Sequence, residues 1–392
     1  MNSPFGSGEP KPLSSLQRTF QEVARCGETS PPELARQLGL ELPTVNARLR
    51  TLIRKGIVEP RDGHKRVGLN STLGYVVGID LGGSHVHYAL ADFRGEALRE
   101  GGESIRPEDG PARLIHQTQE RIRTLVARLP RHGHLRAVAI GVPSPVTPKL
   151  GVASWANNLP GWKGVRMKAE FEREFRVPIY LENDANMAAV GEHWRGVAQG
   201  VDNFVFIALG TGIGAGVFVN GKLYVGRTGA AGELYRMNVE WPRWDEDFGD
   251  TGHFESYVSG LGIAAEGHKA LGREGGRKPS GLREERDAHF VFEALRQGNH
   301  GAREVLERIF TMLGVGVANV VAVLDPELIV LGGGISKGAP DLMLATVERV
   351  LRRIQPDPPP LALSALQGKA QTHGAIFSAL GLAQAAVVRQ LA

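Results

Sequence analysis

Residues 74–95, GYVVGIDLGGSHVHYALADFRG, read as a strand, a tight glycine turn and a second strand, with Asp80 ending the first strand and Gly82, Gly83 and Ser84 at the bend. The theme returns at residues 203–224, NFVFIALGTGIGAGVFVNGKLY, where Gly210, Thr211, Gly212 and Gly214 make the turn. A repeated supersecondary unit predicts an α/β body of two related lobes with a cleft between them. The second turn superficially matches the dinucleotide-binding fingerprint, which requires a following helix whose N-terminus holds a pyrophosphate. Here the strand VFVN follows, then Asn220-Gly221 as a hairpin turn, which argues against a nicotinamide-dependent oxidoreductase. Glycine turns between antiparallel strands can instead offer backbone N–H groups to nucleotide phosphates. Taken singly, such a turn reads equally well as backbone freedom and close packing. A third cluster, Gly332-Gly333-Gly334, follows the apolar run ELIVL, and three glycine turns around one cleft predict an adenine nucleotide site in which Asp80, Gly333 and Gly334 join the other two turns. The helix read ahead of that run, residues 302–324, carries Gly314 and Gly316, which would let a neighbouring element approach closely.

At 392 residues, with 42% hydrophobic and 22% charged, the chain can bury a sizeable core in two or three folding units. The single cysteine, Cys26, excludes a disulfide framework and any multi-cysteine metal site, and fits a reducing cytoplasm. The opening MNSPFGSGEPKPLSS lacks a basic stretch followed by an apolar one, and apolar runs such as residues 315–324 stop at Asp325 and Pro326. Neither export nor a membrane span is expected, and the location expected is the cytoplasm. Residues 1–70 hold 11 Lys/Arg against 7 Asp/Glu and the other 322 hold 35 of each, so the net charge of +4 lies on the N-terminal segment. That asymmetry points to a polyanionic partner, with a merely solvated face as the bland alternative.

Within that segment Leu16, Phe20 and Val23 lie at helical spacing, and Gly27 ends the helix. Ser30 then caps PPELARQLGL, Gly39 makes a turn, and PTVNARLRTLIRKG gives a longer helix with Val45, Leu49, Leu52 and Ile53 on its apolar face. The strands around RDGHKR, with Asp62-Gly63 as a hairpin signal, form a basic wing. In this order the elements spell a winged helix-turn-helix over residues 1–70, whose partner is double-stranded operator DNA. Its second motif helix would present Thr44, Asn46, Arg48, Arg50 and Arg54 to the major groove, while Arg61, Lys65 and Arg66 hold phosphates or the minor groove. The alternative is a small helical protein-interaction domain.

Between the two hairpins, PIYLENDANMAAVGEHW places Glu182, Asn183, Asp184 and Asn186 at a strand-to-helix junction, a grouping suited to sugar hydroxyls. Asp184 could act as general base toward one of them; equally, Asn183 or Asp184 could simply cap the helix.

Together these segments resemble the ROK family (repressor, open reading frame, kinase). DLGGSHVHYALAD resembles its first phosphate motif, GVPSPV the segment that follows it, ENDANMAAVGE its sugar and catalytic segment, GTGIGAGVFVNGKLYVGRTGAAGE its second phosphate motif and LGGGIS its adenosine motif. The resemblance covers nearly the whole chain. It implies an actin-like, ribonuclease H-like two-lobed sugar-kinase body, with lobes at 71–187 plus a helix at 376–392 and at 188–375. It also implies a carbohydrate in the cleft and a homodimer or homotetramer. By position, Asn158, Asn183, Asp184, Glu233 and Glu255 would hold sugar hydroxyls. Members with a winged helix ahead of the body are mostly sugar-responsive repressors of carbohydrate genes. The resemblance leaves an ATP- and magnesium-dependent sugar kinase, with Asp184 as base, as the alternative, and a carbohydrate-binding scaffold that uses the winged helix for protein contacts as a third. DNA binding itself would need no cofactor.

One departure matters. Where the family has a Gly-His pair and a Cys-x-Cys-Gly-x-x-Gly-Cys run that bind structural zinc, this chain has Tyr235-Arg236, then Glu246, Phe248 and His253, with Gly249 and Gly252 kept. Without thiolates, zinc of the family type is not expected, and Glu246, Asp247 and His253 lack the spacing for a substitute. The family's histidine also touches the sugar, so Arg236 brings a fixed charge and a planar donor fork to that spot. The ligand is then expected to be anionic, such as a sugar phosphate, or to sit in a changed pose.

Overall fold

Two capping boxes set the N-terminal module in place. Ser14 with Gln17 opens α1 (Ser15–Cys26), and Ser30 with Glu33 opens α2 (Pro31–Leu38), each pair satisfying two otherwise orphaned N–H groups. Gly39 ends α2 in the left-handed region, as its place after the last periodic residue predicts. α3 (Leu42–Arg54) buries Val45, Leu49 and Leu52. β1 (Glu28–Thr29), β2 (Val58–Arg61) and β3 (Arg66–Leu69) form a sheet in the order β1-β3-β2, and Asp62, Gly63 and His64 turn the wing at positive φ. The computed structural model describes residues 13–83, 85–129, 133–147, 150–153, 161–249, 251–271, 288–366 and 368–392.

The repeated glycine turns head two sheets with identical wiring. β4 (Tyr75–Leu81), β5 (His85–Asp92), β6 (Ala97–Ser104), β7 (Leu135–Val142) and β8 (Ile179–Asn183) are ordered β6-β5-β4-β7-β8. β9 (Phe204–Leu209), β10 (Ile213–Val219), β11 (Lys222–Leu223), β12 (Leu328–Gly332) and β13 (Leu361–Leu363) are ordered β11-β10-β9-β12-β13. In each sheet three strands form an antiparallel meander, and the last two run parallel. The repeat is therefore topological, the actin-like arrangement.

α4 (Gly110–Val126) and α5 (Met167–Phe175) cover one face of the first sheet, burying Phe171 and Ile122. α6 (Asp184–Arg195) leaves the end of β8 and runs on against β10, where Gly216 has no room for a Cβ beside Ala189 (2.4 Å). The second sheet is covered by α7 (Glu255–Val258), α8 (Gly260–Leu271), α9 (His289–Arg296), α10 (His300–Leu324), α11 (Gly334–Gly338) and α12 (Pro340–Ile354). Among the described residues α10 is the one helix long and apolar enough to cross a membrane; 61% of that window is buried here. Gly314 sits against Val350 and Gly316 against Phe254, the close approaches that those glycines predict.

α13 (Ala370–Gln390) ties the chain together. It starts earlier than the expected position 376, and the expected lobe boundary at 187/188 falls inside α6. The two helices cross with backbones almost touching: a Cβ on Gly191 would lie 2.0 Å from the Ala370 carbonyl, and one on Gly374 would lie 1.8 Å from that of Met187. At its far end α13 enters the winged-helix core, where Val387 and Leu391 share one buried cluster with Phe20, Leu34 and Leu49. The Gln17 side-chain amide of α1 donates to the Val388 carbonyl at 2.8 Å.

Candidate functional site

Four carboxylates from both halves of the body converge on the cleft. Asp80 lies one residue before the end of β4 and is buried to 5% exposure; its pKa is pushed up to about 7, first by burial and then by Asp184. Asp184, in the first turn of α6, accepts the Ala185 N–H at 2.8 Å and is raised to about 6 by burial. Glu233 is raised to about 7 by burial, then by Asp184; Arg236 pulls it down and Glu255 pushes it up. Glu255, at the start of α7, is raised to about 7 by burial while accepting the Ile213 N–H at 2.8 Å. Gly212 must lack a side chain for that bond, because a Cβ there would stand 2.4 Å from the Glu255 carboxylate. Like charges drawn together in low dielectric raise one another, and such clusters mark sites built to meet donors.

Asn183 is the helix cap: its Oδ1 accepts the Asn186 N–H at 3.1 Å, while its amide N–H groups stay available to a ligand. Asp184 does not cap. The junction is fastened by Glu182, which the sequence pattern grouped with the hydroxyl-binding side chains and which here bonds within the junction itself. Its carboxylate accepts from Asn186 Nδ2 (3.0 Å), the Asn183 N–H (2.9 Å) and the Tyr180 hydroxyl (2.9 Å), and burial raises its pKa. Asn158 and Ser84 lie outside the described residues.

The predicted nucleotide turns take up hairpin and strand-end positions. The Gly82 N–H donates to the His85 carbonyl and the Gly210 N–H to the Gly212 carbonyl, both at 2.9 Å, and Gly214 faces Ala185 of α6. Thr211 is exposed between them. Gly333, at φ 96°, passes so near Leu209 that no Cβ would fit, and Gly334 follows in α11. A cavity of about 290 Å³ opens there, bordered by Gly333, Ser336, Lys337 and Ser364.

At the family's zinc positions the residues do not fit a metal. Among the described residues no three or more His, Cys, Asp or Glu side chains gather to hold one. His253 is buried and packs on Phe248 (4.8 Å) and Tyr257 (5.3 Å), with Nε2 at 3.9 Å from Glu240. Arg243 lies over Phe248 at 5.0 Å and donates to Glu246 at 2.7 Å. An aromatic and cation stack thus links the segment that thiolates hold in the family. Arg236 is exposed, with Nε donating to the Tyr235 hydroxyl at 2.6 Å.

On the winged helix, Thr44, Arg50, Arg54 and Lys65 are exposed and Asn46 is half-buried. Three predicted DNA contacts are engaged within the fold: Arg48 with Thr19 at 3.5 Å, Arg61 with Glu59, and Arg66 with the Glu28 carbonyl at 2.8 Å.

Residues 76–385 match the model of the ROK family. This chain belongs to the ROK family. Residues 17–59 of this ROK protein match a winged helix-turn-helix DNA-binding model. A putative xylose repressor from Caldicellulosiruptor sp. (strain Rt8B.4) is 28% identical over 82% of this chain and 83% of the relative. The glucokinase of Thermotoga maritima is 31% identical over 72% of this chain and 88% of the enzyme. Among solved structures, a ROK transcriptional regulator homologous to the Escherichia coli MLC protein shares the two-part fold at TM-score 0.78, 24% identity, and coverage of 95% and 98%. A Streptomyces griseus glucokinase bound to glucose and AMPPNP matches at TM-score 0.66 and 27% identity over 78% of this chain and 99% of its own.

Proposed function

We propose that this ROK protein is a sugar-responsive, DNA-binding repressor of carbohydrate genes, in which a neutral carbohydrate in the cleft changes operator affinity. The supporting observation is the continuous path from the cleft to the winged helix. α6 begins at the cleft with Asp184, crosses α13 backbone to backbone, and α13 ends in the hydrogen bond to Gln17 of α1. A shift of α6 cannot be absorbed at so close a crossing, so it moves the DNA-reading module.

The electrostatics favour a neutral ligand over the phosphorylated sugar that Arg236 left open. Arg236 is one cation beside Glu233, whereas Asp80, Asp184 and Glu255 add negative charge that a phosphate would meet. We also propose a cytoplasmic homodimer or homotetramer, since closed symmetric assemblies are the common oligomers and paired helix-turn-helix modules can read two half-sites.

The test is operator binding by the full chain to its own upstream DNA, with and without monosaccharides. Salt-sensitive binding that a neutral sugar alters at least tenfold supports the reading, and binding indifferent to every sugar opposes it. A second reading, an ATP- and magnesium-dependent sugar kinase, draws on Asp184, whose carboxyl, raised to about 6, is suited to accept a hydroxyl proton. A coupled ATPase assay decides it: turnover lost in Asp184→Asn establishes the kinase.

A further inference from the structure

A second cavity, of about 460 Å³, takes in Arg236 and the segment where the family keeps its zinc loop. Its volume falls in the ~300–1,000 Å³ range of ligand pockets. Tyr235, Arg236, Asn238, Trp244, Phe248 and His253 border it. Trp244 is 72% exposed although it is a pocket wall, so its indole face is open to whatever enters. The wall behind it is pre-set: Arg243 is held by Glu246 and Glu240 and stacked between Phe248 (5.0 Å) and Tyr257 (5.6 Å). Among the described residues the buried His253 Nε2 finds no hydrogen-bond partner.

The charge balance selects the ligand class. Arg243 is offset by two carboxylates, and Arg236 stands beside Glu233, so the cavity offers no surplus of positive charge to an anion. What it offers is an open aromatic face with planar hydrogen-bonding groups around it. A sugar ring matches that combination, stacking its apolar C–H face on an indole while its hydroxyls bond the rim. Arg236 lines this cavity and also lowers the pKa of the cleft carboxylate Glu233, so the two sites adjoin through it.

We infer that the cavity is a subsite for a second sugar ring, and that the effector of this protein is a neutral di- or oligosaccharide with one ring in the carboxylate cleft and the next on Trp244. The inference rests on the carbohydrate-cleft reading and extends it.

Calorimetric titration of the full chain with xylose against xylobiose, and with glucose against maltose and cellobiose, tests it, using wild type, Trp244→Ala and Trp244→Phe. The expected result is that at least one disaccharide binds tenfold or more tightly than its own monosaccharide. Trp244→Ala brings the two within about twofold without weakening the monosaccharide, and Trp244→Phe keeps most of the difference. That disaccharide also shifts tryptophan emission in wild type and not in Trp244→Phe. Monosaccharide binding with no gain from the second ring, or a Trp244→Ala loss shared equally by both sugars, overturns this inference and leaves the cleft reading standing. Binding of no sugar in the panel overturns both.

Discussion

Asp80→Asn measures the strain held in the acidic cluster. Asp80 is 5% exposed and sits at about 7 instead of 3.8, a displacement of about 3 units and therefore ~4 kcal/mol between its protonated and ionised forms. Because the folded pKa lies above the unfolded one, the native state holds an extra proton; the resulting stability is complete below about pH 4 and is lost as pH rises through about 7. Asparagine keeps the shape without the charge. The variant should stay close to wild type at pH 4 and exceed it by about 2–4 kcal/mol at pH 8, with the lower figure holding if Asp184 and water relax around the charge. Urea unfolding between pH 4.5 and 8, followed through the first cooperative transition since a multi-lobed chain need not unfold in one step, gives the comparison. Wild type should lose up to ~1.4 kcal/mol per pH unit more than the variant between pH 5 and 7. Parallel profiles, or a variant weaker than wild type at pH 8, would refute the argument.

Sugar affinity should rise from pH 5.5 to 7.5, since Asp184 at about 6 and Glu233 and Glu255 at about 7 must ionise to accept hydroxyl donors; calorimetry in buffers of different ionisation heat should also show proton release. Gln17→Leu should keep sugar affinity and fold while reducing the sugar-induced change in operator affinity, read by fluorescence anisotropy; an undiminished response would remove the α13 path. Gly374→Ala, with a Cβ 1.8 Å from a carbonyl, should destabilise by more than about 3 kcal/mol, whereas Gly381→Ala in the same helix, with open space, should stabilise by about 0.5–1 kcal/mol in thermal unfolding. Arg50→Ala and Lys65→Ala should each weaken operator binding and lower the slope against log salt by about one, while Arg66→Ala, which breaks the bond to Glu28, should show in stability as well.

What could be read from the sequence was local. Ser30, Gly39 and the Asp62-Gly63 turn act on their own neighbours, so the helix and wing boundaries follow from short-range chemistry. The duplicated hairpin was legible because a glycine turn between apolar strands is itself a local signal. The contacts of Arg48, Arg61 and Arg66 were not, because two of their three partners, Thr19 and Glu28, lie on other elements. Asn183 and Asp184 were ambiguous for the same reason: a cap and a ligand-facing group use the same side chains, and only the bond to Asn186 separates them. The loss of the cysteines was visible. The stack of Arg243, Phe248, His253 and Tyr257 that replaces them depends on tertiary packing and was not.

The acidic cluster also supplies the energy difference that a sugar switch needs. A ligand moves an equilibrium only by its differential interaction with the two states. Asp80 projects from the first lobe, Glu233 and Glu255 from the second, and Asp184 stands at the junction and raises the pKa of both Asp80 and Glu233. If the proposed switch works by closing the lobes, closure without a ligand brings these carboxylates toward one another in low dielectric, which opposes it. A neutral sugar whose hydroxyls donate to several of them at once turns that repulsion into attraction and makes the closed form the favoured one. Burial outranks Asp184 among the causes of Asp80's shift, so the repulsion is the smaller share of it, and each ~1.4 kcal/mol of it that a sugar relieves is worth tenfold in a two-state equilibrium. On the proposed reading a phosphorylated sugar would restore the repulsion it was meant to relieve, so the groups proposed to build the switch would also select its ligand.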